Sequence, residues 1–208
     1  MVIGVIGGAG RQGSALARRY CSLGEDEVIV GSRTPQDARG KFLDRRITLT
    51  SNEEACRAGL VVLAIPWDVT LNVLTPLVGR LRGKTVVSMI NPLSFDAQGA
   101  HPLRVSAGSA AQAVQELLAD SNVAIAFNLV SASLMGDVAE PLLADVPVCA
   151  RDIETSGRVR AWVQRSGARA LDSGPLSCAV AVESMAAVVM HVSAQYAKPV
   201  SLRLESAP

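Results

Sequence analysis

Aromatic side chains are scarce in this sequence: three Phe, two Trp and two Tyr in 208 residues, 3% of the chain. That leaves few stacking platforms for single-stranded nucleic acid. An excess of either charge is missing too. Twenty Lys and Arg stand against nineteen Asp and Glu, a formal net charge of +1. Bulk electrostatic attraction to nucleic acid or to an acidic membrane is therefore not expected. Close cysteine pairs are absent. Cys21, Cys56, Cys149 and Cys178 lie too far apart in sequence for a C-x-x-C site. They read as four reduced thiols of a cytoplasmic protein, with no metal centre. The opening Met1-Val2-Ile3-Gly4-Val5-Ile6 lacks a basic region and a cleavage site, so no signal peptide is expected. The one long apolar run, Cys178 to Ala197, is interrupted by Glu183, His191 and Gln195. A charge in hydrocarbon costs a few kcal/mol, so the run reads as a buried or dimer-facing helix rather than a membrane span. The partners expected are small-molecule cofactors and a second copy of the chain.

What the chain does have is apolar residues, 49% of the total, enough to bury a core. At about 150 residues per domain the length suits one large domain, or one plus a small second. Val2–Ile6, Val28–Val30, Ile47–Leu49, Leu60–Ile65 and Thr85–Ile90 read as strands. Their continuous β-branched runs suit a parallel sheet covered on both faces. Helical patterns fall between them, over Gln12–Leu23, Asn52–Ala58 and Asp68–Leu81. Strand–helix alternation predicts a doubly wound α/β fold of Rossmann type. Asn91 to Ser106, rich in Pro, Gly and Ser, reads as a loop where the fold changes character. Beyond it come helices at Ser109–Ala119, Ile153–Arg165 and after Pro175, and strands at Val123–Phe127, Pro147–Ala150 and Arg169–Leu171. We expect a dinucleotide-binding domain over 1–120 and a smaller α/β acceptor-binding and dimerisation part over 121–208. This tail could equally continue the sheet.

Gly8-Ala9-Gly10-Arg11-Gln12-Gly13 matches G-x-G-x-x-G. The pattern is weak alone but follows a strand, opens a helix and precedes a second strand within one βαβ span. Gly8 permits the tight turn, Gly10 lets backbone approach a pyrophosphate, and Gly13 lets helix pack on strand. The helix N-terminus offers free N–H groups and a positive dipole end. About 20 residues on, where an NAD site carries a carboxylate for the ribose, the chain reads Gly31-Ser32-Arg33-Thr34. Glu25, Asp26 and Glu27 precede the strand, at its wrong end. Arg33 can pair with a 2′-phosphate, with Ser32 and Thr34 donating beside it. Two hydrogen bonds to a charged group, at roughly 1.5–3 kcal/mol each, favour NADP over NAD by about 10²–10⁴.

With these residues placed, the chain resembles the NADPH-dependent reductases of the deazaflavin coenzyme F-420 (F420). The shared words are Gly7-Gly8-Ala9-Gly10 with Gly13, Ile29-Val30-Gly31-Ser32-Arg33, Ala64-Ile65-Pro66-Trp67, Asp145-Val146-Pro147-Val148-Cys149, and Leu171-Asp172-Ser173-Gly174-Pro175-Leu176 with Val182-Glu183. Ala126 to Ala132 also resembles the cytosolic domain of the STEAP metalloreductases, which hand NADPH electrons to a flavin. The resemblance implies hydride exchange between NADP(H) and F420 or a flavin. It implies that Ala9 to Gln12 line the pyrophosphate and that Ser32 and Arg33 hold the 2′-phosphate. Ile65 and Pro66 would pass under the adenosine-to-nicotinamide span, and Asn91 and Pro92 would flank the nicotinamide. The acceptor ring would lie near Asn128, Leu129 and Ser131 and near Leu176 in the Gly174–Ser177 turn. Two positions depart from the implied pattern. Asn128 stands where a histidine is implied, and Thr34-Pro35-Gln36-Asp37 where a basic residue is, with Arg39 as the nearest substitute.

Transfer between two ring cofactors needs stacking and distance control, not an acid–base pair. The sequence shows no catalytic constellation. His101 reads as a solvated loop residue, His191 as a hydrogen-bonded core or interface residue, Asp68 as a helix N-cap and Glu183 as a satisfied buried acid or dimer contact. Two alternatives stay open. Direct reduction of a ketone or imine would need a proton donor such as Asp68, His191 or water. A non-catalytic NADPH-binding regulatory module would need none.

Overall fold

Val2 to Ile6 is apolar on both faces of a strand, and it forms β1 (Val2–Ile6), an interior strand third from one edge of an eight-stranded sheet. The computed structural model describes residues 1–205 except Glu25, Arg39, Lys41 and Leu43. After β1 come α1 (Arg11–Ser22), β2 (Glu27–Ser32), β3 (Ile47–Ser51), α2 (Asn52–Ala55), β4 (Leu60–Leu63), α3 (Trp67–Leu74), α4 (Val78–Leu81) and β5 (Thr85–Ser88). The chain continues through β6 (Leu93–Asp96), β7 (Gly99–Pro102), α5 (Ala110–Leu117), β8 (Asn122–Ile125), α6 (Ala132–Gly136), β9 (Asp145–Ala150), α7 (Ile153–Arg165), β10 (Arg169–Pro175) and α8 (Ala179–Tyr196).

The sheet order is β10-β9-β8-β5-β4-β1-β2-β3. Every pairing from β3 across to β8 is parallel. The chain leaves β1 in one direction to β2 and returns to β4 on its other side, the switch point at which doubly wound sheets bind ligands. The expected Rossmann-type fold is therefore present, and one sheet runs on through residues after 120. β9 and β10 are parallel to each other but reversed against the rest, joined to β8 through the antiparallel pair Ala124↔Ala150. One sheet face packs Leu16 and Tyr20 of α1 against Trp162 of α7. The other packs Leu74, Leu81, Val114 and Ala179 from α3, α4, α5 and α8.

Four local expectations are corrected. The helix expected over Asp68–Leu81 is split by a 3₁₀ turn at Thr75–Leu77, because Pro76 has no N–H to continue the ladder. Asp68 is not the N-cap; Pro66 is, and Asp68 lies in the first turn of α3. The expected loop at 91–106 contains the β6–β7 hairpin. Asp96 Oδ1 accepts from Gln98 N at 2.7 Å, and Gly99 takes φ +116°. His101 accordingly sits on a strand, 2.9 Å from Asp96. α6 had no expected counterpart.

Candidate active site

The glycine turn after β1 is packed so tightly that side chains cannot enter. A Cβ at Gly13 would lie 2.5 Å from the Gly8 Cα, and one at Gly8 would lie 2.9 Å from the Val5 carbonyl oxygen. Gly8 N donates to Gly31 O at 2.9 Å, tying the turn to the end of β2. Gly10 faces outward, and its Cβ would meet only Gly7 O at 3.3 Å. Gly10 is also the N-cap of α1, with no side-chain cap bond and no acid in the first turn. The first N–H groups of α1 thus face the open side without a competing carboxylate, which suits a phosphate. Ala9 is half-buried beside them and Arg11 is exposed. Ile65 leans on the turn, its Cγ2 only 2.4 Å from where a Gly7 Cβ would be. Pro66 is exposed next to it.

Asn52, which sequence reasoning missed, braces this turn. Its Oδ1 accepts from Gly7 N at 3.2 Å and fills the space beside Gly31. No local pattern marks it, because the contact spans 45 residues. At the end of β2, Ser32 is half-buried and its hydroxyl accepts from Thr34 N at 3.2 Å. Arg33 and Thr34 are exposed, and Arg33 has no ion-pair partner among the described residues. Asp26 lies at the opposite end of the strand, paired with the Met1 ammonium at 3.1 Å and with Arg165 at 3.0 Å. Glu25 and Arg39 lie outside the described residues.

A cleft of about 390 Å³ opens beyond the carboxyl ends of β5 and β8. Arg11 and Gln12 line it from α1, Asn91 from the end of β5, and Asn128, Leu129 and Ser131 from the segment after β8. Asn91 and Asn128 clasp each other. Asn91 Nδ2 donates to Asn128 O at 2.8 Å, and Asn128 Nδ2 donates to Asn91 Oδ1 and Ile90 O, both at 3.1 Å. Pro92 is buried beside the clasp and does not line the cleft. Phe127 turns the chain into this segment at φ +62°, a strained conformation for a bulky residue. Its ring is held at 5.3 Å from Trp162 and 6.5 Å from Tyr20. Gln12 does not point its amide at the phosphate side; Nε2 donates to Val130 O at 2.7 Å, bridging the two halves of the site.

The opposite wall is α8, through Ala186, Val189, Met190 and Ser193. These were invisible in the sequence as site residues, since apolar helix positions look alike. Leu176 is set apart. It is buried with Ile125, Cys149 and Ala179 and does not line the cleft. Among the described lining residues Arg11 alone is ionisable. Asp68, His101 and His191 line no part of it; His191 Nε2 lies 3.1 Å from Ala100 O. Among its described lining residues the cleft offers no side-chain acid for general acid catalysis.

A family model described as NADP oxidoreductase, coenzyme F420-dependent, matches residues 2–92. The F420-dependent NADP reductase of Methanocaldococcus jannaschii is 31% identical over 212 residues, covering 94% of each chain. That of Methanothermobacter thermautotrophicus is 29% identical, covering 93% of this chain and 89% of its own. A solved chain from Arthrobacter sp. FB24, a proposed F420-dependent NADP reductase, superposes with a TM-score of 0.85 at 22% identity over 95% of both. The NADP-bound pyrroline carboxylate reductase of Plasmodium falciparum is similar at TM-score 0.62 and 14% identity, covering 95% of this chain and 64% of its own. At such identities the structures speak for the fold alone.

Proposed function

Because the chain belongs to the family of F420-dependent NADP reductases, we propose that it is an NADP oxidoreductase transferring a hydride between NADP(H) and coenzyme F420. One juxtaposition carries the reading. An uncapped helix N-terminus in a glycine turn, tied to the end of β2 that leads into Arg33, adjoins a cleft whose described lining holds no acid–base pair. The glycines at 8, 10 and 13 and the first N–H groups of α1 would hold the pyrophosphate. Ser32, Arg33 and Thr34 would hold the 2′-phosphate, and Ile65 and Pro66 would support the span towards the clasp. The nicotinamide would rest by Asn91, with Pro92 packed behind it. The acceptor ring would lie over it, between the Asn128–Ser131 segment and α8. NADPH and F420 bring the hydride chemistry themselves; the chain brings orientation and exclusion of water. The exposed apolar residues of α8 support a homodimer, and four unpaired cysteines suit the reducing cytoplasm.

A stopped-flow panel tests the assignment, with F420, FMN, FAD and small imines offered under NADPH and then NADH. NADPH oxidation by F420, faster than with any other acceptor and lost with NADH, is the expected result. Oxidation by imines alone would make the chain an imine reductase. Tight NADPH binding without oxidation by any acceptor would make it a binding module.

A further inference from the structure

Glu183 is an acid 2% exposed, on the helix that walls the cleft. Its Oε2 accepts from Ala110 N at 2.8 Å and its Oε1 from Ala111 N at 3.0 Å. These are first-turn donors of α5, whose N-cap Ser109 serves the Gln112 N–H instead. A carboxylate suits the place because two donors there need two acceptors, and because a helix N-terminus favours negative charge. Glutamine has one acceptor, and its NH₂ would face an N–H. Along α8, Ala186, Met190 and Ser193 follow Glu183 at +3, +7 and +10, on one helical stripe. The foot of the stripe is tied to α5 and its upper part walls the cleft. The other buried residues of α8 are Ala179, Ala186 and Ala187, which are small and directionless; about two turns beyond Glu183, the part-buried His191 Nε2 ties α8 to Ala100 O on β7.

We propose that Glu183 is a positioning residue for the acceptor, fixing the α8 wall of the cleft by fastening α8 to the N-terminus of α5. This rests on the hydride-transfer reading above and adds a residue that touches neither ligand. Burial pushes the Glu183 carboxyl up to about 7, against the pull of its two N–H partners. Protonation puts a hydroxyl where an acceptor stood, and one of the two bonds is lost. Few other charges face this contact among the described residues. Cys149 on β9 senses Glu183, but its thiol is pushed up to about 11 and stays neutral. β7 brings His101, which packs against His191 about two turns further along α8. α5 carries Glu116 at its exposed far end, and Cys178 sits exposed just before α8.

The test compares wild type with Glu183→Gln and Glu183→Asp between pH 6 and 8. It reads KM for F420 at saturating NADPH, and Kd for NADPH from its fluorescence. At pH 8, Glu183→Gln raises the F420 KM about tenfold and leaves the NADPH Kd within about twofold. Glu183→Asp, which keeps the charge, recovers part of the loss. Towards pH 6 the wild-type KM converges on that of the glutamine variant. A KM ratio independent of pH, or an NADPH Kd rising in step with KM, would overturn the role of Glu183 while leaving the hydride-transfer reading intact. A wild-type protein that oxidises no NADPH with F420 would overturn both.

Discussion

Arg33 and Gly13 bear on the site through opposite properties, an added charge and an absent side chain. Arg33→Ala removes the cation proposed above for the 2′-phosphate. It should raise the KM for NADPH at least about tenfold, the loss of one charge-assisted hydrogen bond, and leave NADH use nearly unchanged. Equal losses with both cofactors would refute that placement. Gly13→Ala forces a Cβ to 2.5 Å from a backbone atom of Gly8, which no side-chain rotation relieves. The expected cost is about 1–3 kcal/mol of stability, with NADPH binding weakened at least about tenfold as the turn opens; urea titration and fluorescence measure the two. Glu183 adds a pH dependence. Its carboxyl is raised from 4.5 to about 7 in the fold, so the folded state binds the extra proton between those values. Stability should therefore fall as pH rises from about 4.5 to about 7, by up to roughly 3 kcal/mol, and level off above. Glu183→Gln should flatten that slope in urea titrations across the range. The glycine turn and the end of β2 are legible in sequence because each lies within a few residues of a strand. Asn52 and Phe127 were not legible, since each acts on chain that is distant in sequence or through a backbone angle that residue type does not reveal.

Elements were readable wherever burial imposed a period. β1 and α7 have the boundaries the apolar spacing implied. The β6–β7 hairpin was not, because its strands are largely exposed and carry no alternation. Only Asp96 and Gly99, flanking Ala97-Gln98, hinted at the turn. α6 was missed for another reason: five residues carry too little periodicity, and its stability comes from α1. Buried Arg19 of α1 donates to the carbonyls of Leu134, Met135, Asp137 and Glu140. A single guanidinium thus serves the open C-terminal end of α6 and the chain beyond it. Desolvation lowers its pKa, yet the Asp137 carboxylate opposes that. Arg19→Met keeps the stem and leaves those carbonyls unpaired, so about 3 kcal/mol should be lost. Arg19→Lys should recover part of that, since an ammonium has three donors but not the planar fork. Urea denaturation decides it; a loss under about 1 kcal/mol would show that water replaces the guanidinium.

At the scale of the molecule, local pattern predicted the five parallel strands of the first half and left open whether the tail extends them; β8 does, in parallel, and the reversal of β9 and β10 was not foreseen. Strand direction depends on which way the connections run, and apolar spacing is the same in both. The same holds for α8, whose composition announced a buried or shared helix. It is long and apolar enough to cross a membrane by length and composition, with a mean hydropathy of 1.6, and only 28% of that window is buried. Val188 is 54% exposed and Met185 42%, on the side away from the cleft. Exposed apolar side chains of this kind suit an interaction surface. The inner side of α8 is already docked on α5 through Glu183. The homodimer proposed above would set the exposed patch against itself across a two-fold axis. Val188→Glu places a charge on that patch twice per dimer. At about 2 kcal/mol per copy for burying an unpaired polar group, dimer dissociation should increase roughly a thousandfold. Light scattering should find the wild type dimeric at micromolar concentration and the variant monomeric. NADPH affinity should be kept, because the glycine turn lies on α1 at the other side of the cleft. A wild-type chain that is monomeric at that concentration would overturn the homodimer, and a variant that stays dimeric would place its interface elsewhere.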